Sequence, residues 1–298
     1  MKKIGVIFVN LILLCFVLCF VEFVIFKNCT KDIEKKPHYS LEKSDFNLEQ
    51  MKKYSYMRKP CGLNYKKKPI LIYGCSVAYG YKLKDEDSFG YQLSEYTKRP
   101  VYNFGMPAKG MQHAIYLLKN NEKISQEPEY VFYVFINDHY RRMFVNCNRI
   151  DNMKYLTYEA KNGILVEKKN GLALSERFYI LSSLKNQMYY FLKGIFKKQI
   201  YQLAKLHLVT MKDEVKKLYP NAKFVVLDYE VGYYNVLSPE IIKDLNKSGI
   251  EVVSLNKEFS DKLSMDMYRN PKNEDVFRHP NGKGWSLVVK FIADKYHL

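Results

Sequence analysis

Short apolar runs in this sequence end, again and again, in residues capable of chemistry. Pro69-Ile70-Leu71-Ile72-Tyr73 leads into Gly74-Cys75-Ser76-Val77-Ala78-Tyr79-Gly80, and Val101-Tyr102-Asn103-Phe104 leads into Gly105. Tyr130 to Ile136 leads into Asn137-Asp138, and Asp275-Val276-Phe277-Arg278-His279-Pro280-Asn281 precedes the last amphipathic stretch. A hydroxyl, a glycine, a carboxamide and an imidazole are the parts of an acyl-transfer site. Ser76, at a strand-to-helix turn, could expose its hydroxyl where a helix N-terminus favours negative charge. His279, from the far end of the chain, could take the serine proton and return it to the leaving group. The backbone N–H groups of Ser76 and Gly105, with the Asn137 side-chain NH₂, are expected to face the developing oxyanion, and losing one such donor typically costs about 10²–10³ in rate.

Each residue also has an ordinary structural role. Ser76 could cap the following helix, Gly80 and Gly105 could serve turns, Asn137 could bond its own backbone, and Asn281 could cap the last helix. These roles are independent of one another. They do not explain why all four fall at strand ends, in this order.

The elements that would position them alternate. Strands are predicted at 69–73, 101–104, 130–136, 223–227 and 249–253, and helices near 88–97, 110–122, 198–218, 238–247 and 282–296. Continuous apolar strands separated by amphipathic helices predict a mostly parallel five-stranded sheet in a three-layer α/β/α sandwich, flavodoxin-like in plan. In such sheets ligands collect beyond the carboxyl ends of the strands, which is where the four residues lie. Tyr155 to Lys168, with Lys161-Asn162-Gly163 between two β-rich arms, predicts a hairpin, and Leu172 to Lys193 a helix. Residues of about 150–200 thus read as an insertion.

These blocks resemble the SGNH (GDSL-type) hydrolases, a family named for its Ser, Gly, Asn and His. Gly74-Cys75-Ser76…Gly80 is similar to the family's Gly-Asp-Ser block, Asn103-Phe104-Gly105 to its glycine block, Ile136-Asn137-Asp138 to its Gly-x-Asn-Asp block, and His279-Pro280-Asn281…Gly284 to its histidine block. The resemblance spans residues 70 to 285 and implies a serine esterase. Ser76 would be the nucleophile, His279 the base, and Ser76, Gly105 and Asn137 the oxyanion hole. Two positions depart from the pattern. Cys75 replaces the usual Asp, and Phe277 and Val276 stand where the family usually places an acid before the histidine. Asp275 is the favoured acid; Glu274, or a Ser–His dyad aided by a backbone carbonyl, are the alternatives. The resemblance favours hydrolysis of acyl, above all acetyl, esters, with cell-surface carbohydrate as their carrier. A polysaccharide O-acetyltransferase using the same site and a non-catalytic anchored binding protein are the competing readings.

The rest of the sequence bounds these expectations. Its 298 residues provide ample material for a core, and 47% hydrophobic residues exclude a wholly disordered chain. Six cysteines are too few for a disulfide-stapled mini-domain. After Lys2 and Lys3, Ile4 to Phe26 is almost unbroken apolar sequence, about 34 Å as a helix and so enough for a hydrocarbon core of roughly 30 Å. No small residues precede a cleavage point near Phe26-Lys27-Asn28, so 1–27 reads as an uncleaved signal anchor with 28–64 as a stalk. The domain at 65–298 is expected outside the cytoplasm, on a single-pass membrane protein. The formal charge of +17 invites a nucleic-acid reading, but the lysines are scattered, with Lys66-Lys67-Lys68 the one compact run. A surface facing anionic lipid or acidic glycan fits an anchored protein better. His38, His113, His139, His207 and His297 have no metal-ligand spacing, and no Gly-x-Gly-x-x-Gly or P-loop is present, so no metal or cofactor is expected.

Overall fold

The computed structural model describes residues 61–107, 109–120, 124–143, 157–161, 164–168, 195–229, 237–255, 258 and 279–298. The apolar run at 4–26, most of the stalk, the predicted helix at 172–193 and the predicted acid Asp275 lie outside the described residues. Among the described residues no helix is long and apolar enough to cross a membrane.

Five strands form one sheet in the order β2-β1-β3-β6-β7: β1 Ile70–Gly74, β2 Val101–Asn103, β3 Tyr130–Phe135, β6 Lys223–Asp228 and β7 Glu251–Ser254. All four pairings are parallel. Every residue of β1 and β3 is buried, as expected of strands covered on both faces. Their apolar runs supply side chains to both layers at once. Leu71, Tyr73, Val131, Tyr133, Phe135 and Val226 point into one cluster, and Ile70, Ile72, Phe132, Val134, Val225 and Leu227 into the other. The first cluster is closed by α3 (Met111–Asn120), α5 (Lys197–Leu218) and α6 (Pro239–Lys247), and the second by α2 (Phe89–Thr97) and α7 (Gly282–Tyr296).

The elements begin where their chemistry says they should. The Ser88 hydroxyl accepts the Tyr91 N–H at the start of α2, and Ser238 does the same for Ile241 before Pro239 at the start of α6. The last strand starts two residues later than the apolar pattern suggested. Gly249, at φ 72°, and Ile250, whose N–H donates to Leu245 O, still belong to the closure of α6.

The predicted hairpin is present as β4 (Thr157–Lys161) antiparallel to β5 (Ile164–Lys168), with Lys161 opposite Ile164. It stands apart from the main sheet as a two-stranded unit, docked through Leu165 into the cluster that α5 closes. Ile164 and Val166, which alternate with Leu165, face solvent. Two short helices complete the described chain, α1 (Ser76–Tyr79) and α4 (Asp138–Arg142), and each starts at a strand's carboxyl end.

Candidate active site

The turn after β1 is built for a residue that must stand clear of the sheet. Gly74 has φ 152°, and a Cβ there would lie 2.7 Å from Ala78 Cβ and 3.0 Å from Val134 O, so the chain can cross close to β3 only without a side chain. One turn of helix follows. Gly80 closes it in the left-handed region, its N–H donating to Val77 O while the Tyr81 N–H donates to Ser76 O. Cys75 occupies the N-cap position and makes no side-chain cap; its thiol is buried. Ser76 is therefore the first helical residue, and its hydroxyl is not a cap.

The hydroxyl meets His279 instead. Ser76 Oγ and His279 Nε2 lie 2.9 Å apart across 203 residues of sequence. With the imidazole proton on Nδ1, Nε2 accepts the Ser76 O–H, the arrangement in which a histidine can act as base. Both residues are half-buried.

His279 reaches this position because α7 is fixed to the same face of the sheet. Asn281 caps α7, its Oδ1 accepting the Gly284 N–H at 3.1 Å, so the ordinary role foreseen for this residue holds beside the histidine's. Trp285 is fully buried and stacks on Phe89 of α2 at 4.5 Å and on Tyr229 at 5.9 Å. Gln92 of α2 donates to Gly282 O at 2.9 Å, and Asp87 lies so close to Gly282 that a Cβ there would be 2.5 Å from its Oδ1. Tyr81, 40% exposed, holds its ring 6.2 Å from the imidazole. Sequence reasoning missed Tyr81, Asp87 and Gln92. The spacing carries no signal for them, because each meets the His279–Gly282 region across about 190 residues of sequence, Gln92 from α2 and Tyr81 and Asp87 from the stretch between α1 and α2.

The oxyanion side departs from expectation at Gly105. Its N–H already donates to Asn103 Oδ1 at 2.9 Å, so the donor expected to face the reaction is engaged within its own loop. The need for glycine here is steric: a Cβ would sit 2.6 Å from Tyr79 N and 3.0 Å from Ala78 C, inside the backbone of the Ser76 turn. Asn103, at the end of β2, also donates through Nδ2 to Ala78 O at 2.8 Å. Read only as part of the glycine block, this residue carried no role of its own in the sequence.

Asn137 precedes α4 in helical conformation and is buried, and its side chain makes no cap bond to the helix. The next residue is the centre of an ionic cluster. Asp138 accepts two bonds from Arg141, at 2.6 and 2.9 Å, and one from Arg142 Nε at 2.7 Å. Arg142 Nη1 donates onward to Lys109 O at 2.6 Å, which ties the Asn137 loop to the loop after Gly105. Gln112 Nε2 adds a bond to Arg142 O at 2.8 Å. Burial would raise the Asp138 carboxyl, but the hydrogen bonds and charges of Arg141 and Arg142 outweigh it and hold the group well below the usual carboxylate range.

Three buried histidines, two of them beside this cluster and the third on α5, are kept neutral. Burial, with the nearby Lys109 and Arg142 charges, lowers His113 to about 3. Burial and Arg142 push His139 well below the usual value, and burial lowers His207 to about 4. His139 Nδ1 takes the Tyr133 hydroxyl at 2.9 Å. None of the three is placed to titrate near neutrality. Among the described residues no group of three or more His, Cys, Asp or Glu is arranged to hold a metal ion.

The site residues thus stand as follows. The serine, imidazole and asparagine are described, Gly105 is present with its N–H engaged, and Asp275 is outside the described residues. Asp228 ends β6 at the same sheet edge, where its Oδ2 accepts the Leu237 N–H at 3.1 Å.

No family model matches the sequence, and no curated protein matches it. Solved structures do resemble the fold. A member of the lipolytic protein G-D-S-L family from Veillonella parvula aligns at 11% identity and TM-score 0.45, over 77% of this chain and 97% of its own. A possible lipase from Chitinophaga pinensis aligns at 12% identity and TM-score 0.44, over 78% and 98%. A family 3 carbohydrate esterase from Clostridium thermocellum aligns at 13% identity and TM-score 0.40, over 77% and 94%. Identities this low leave the chemistry of the present chain to be argued from its own residues.

Proposed function

We propose that this chain is a serine hydrolase acting on ester bonds through an acyl-enzyme. One observation carries the reading: the hydrogen bond of 2.9 Å between Ser76 Oγ and His279 Nε2 at the carboxyl edge of a parallel sheet. Ser76 Oγ attacks the ester carbonyl carbon while His279 Nε2 takes its proton. The tetrahedral oxyanion is held by the Ser76 N–H at the start of α1 and by the Asn137 carboxamide. Collapse expels the alcohol, which leaves with the proton from His279. Water then attacks the acyl group as His279 takes a proton from it, and on collapse His279 returns that proton to Ser76 Oγ as the carboxylic acid leaves. Asp275 is the proposed orienting group for His279, from its place four residues before it.

The finer part of the proposal is the substrate and its setting. Acetyl esters on cell-surface carbohydrate fit a half-buried serine on a domain we propose to be tethered by the apolar segment 4–26 and to lie outside the cytoplasm. The test is direct. Full-length protein should take a fluorophosphonate probe and hydrolyse p-nitrophenyl acetate, and Ser76→Ala and His279→Ala should lose both. Equal labelling of wild type and Ser76→Ala would reject the mechanism.

A further inference from the structure

We propose that Asn103 is a positioning residue for the nucleophile, acting through the backbone of the turn that carries Ser76; the proposal rests on the acyl-enzyme reading above. That turn is weakly built on its own. It is four residues long, too short for cooperative helix stability, and its N-cap residue Cys75 contributes no side-chain bond. From outside it is held by Val77 and Ala78, packed into the apolar cluster, and by a buried carboxamide, 3% exposed. Asn103 donates to Ala78 O at 2.8 Å and accepts from Gly105 N–H at 2.9 Å, so one planar group spans the Ser76 turn and the loop beside it.

The chemistry of both bonds selects asparagine. One donor and one acceptor must be presented at the same moment, at the reach of one methylene from the end of β2. A leucine leaves both backbone groups without a partner, and an aspartate sets a second oxygen against Ala78 O. The surroundings are shaped for this side chain. A Cβ on Gly105 would press to 2.9 Å from Asn103 Oδ1, and one on Gly90 of α2 would press to 3.4 Å from Nδ2. Two glycines thus leave room around the carboxamide, one in its own loop and one on the helix above. Through Ala78 O the carboxamide fixes the carboxyl end of the turn whose first residue meets His279.

The experiment compares Asn103→Leu, Asn103→Asp and Asn103→Ser with wild type and Ser76→Ala, all as full chain, with p-nitrophenyl acetate as substrate. Fluorophosphonate titration counts competent serines, so that kcat is expressed per labelled site. Positioning predicts a kcat per site lowered about 10–100-fold in the leucine and aspartate variants, with KM within about twofold of wild type. Asn103→Ser, smaller and still polar, should fall between them and wild type. A residue that only supports the fold would lower thermal stability and the number of labelled sites while leaving kcat per site unchanged, and that result overturns the proposal. If Asn103→Leu does not fold, wild-type kcat per site in the serine and aspartate variants overturns it equally. Turnover by Ser76→Ala at the wild-type rate would instead sink the acyl-enzyme reading itself. An inert Ser76→Ala beside unimpaired Asn103 variants would sink the positioning role alone.

Discussion

The two faces of the sheet are held together by different physics. On the face of α2 and α7, the cluster around Phe89, Leu93, Trp285, Val288 and Ile292 is apolar, and it includes Cys75, Val77 and Ala78 of the Ser76 turn and the buried side of α7, which follows His279. On the face of α3, α5 and α6, the apolar cluster is accompanied by the buried His113, His139 and His207 and by the half-buried Asp138 with Arg141 and Arg142. The reacting pair therefore rests on close packing, and the asparagine side of the site on charges and hydrogen bonds. Packing is nearly indifferent to pH and intolerant of lost volume. The charged network tolerates neither loss of a partner nor acid.

This contrast can be broken at several points. The largest effect is expected at the reacting pair itself, where Ser76→Ala or His279→Ala should lower kcat by about 10⁴-fold or more, read by steady-state ester hydrolysis. Trp285→Ala should remove the stacked side chain that fixes α7 to α2 and cost about 3–5 kcal/mol, read by urea denaturation. Asn137→Ala should lower kcat by about 10²–10³-fold while leaving fluorophosphonate labelling detectable and the denaturation midpoint close to wild type.

The smallest effect separates the two faces by pH. An unfolded histidine takes up a proton below about pH 6.5, whereas folded His113, with its value of about 3, does not. The unfolded state then binds more protons, so stability is fully present above about pH 6.5 and falls as the pH drops toward 3. At pH 5 the loss from His113 alone is about 2 kcal/mol. His139 and His207 shift in the same direction and add to it. The Asp138 carboxyl, lowered in the fold, withdraws its contribution only at still lower pH, once unfolded carboxylates protonate. Denaturation at pH 7 and pH 5 should thus reveal an acid-sensitive protein, and His113→Phe should flatten that dependence. An equal pH slope in wild type and His113→Phe would remove His113 from the account. Trp285→Ala should leave the slope unchanged.

Much of the frame was legible before any coordinates. Tyr130 to Ile136 is apolar at seven consecutive positions and rich in Val and aromatics, as a strand buried on both faces requires. Asn162-Gly163 between β-rich arms announced a hairpin whose register closes as expected at Lys161 and Ile164. The ion pairs of Asp138 with Arg141 and Arg142 came only with the short helix α4, which brings residues three and four apart onto one face. The late start of β7 was not legible either, because the helix closure through Gly249 and Ile250 consumes residues that look like strand.

By itself the sequence determined which residues sit at strand ends, since hydrophobic period and glycine placement are properties of near neighbours. Only the tertiary structure decided which of those ends meet. The bond from Ser76 to His279 spans 203 residues and depends on α7 settling on α2, and that depends on the whole sheet order. The same holds for Gly105. A glycine after a strand is easy to see, but whether its N–H faces a substrate or a neighbouring carboxamide is set by fractions of an ångström in packing, and that distance is written in no local pattern.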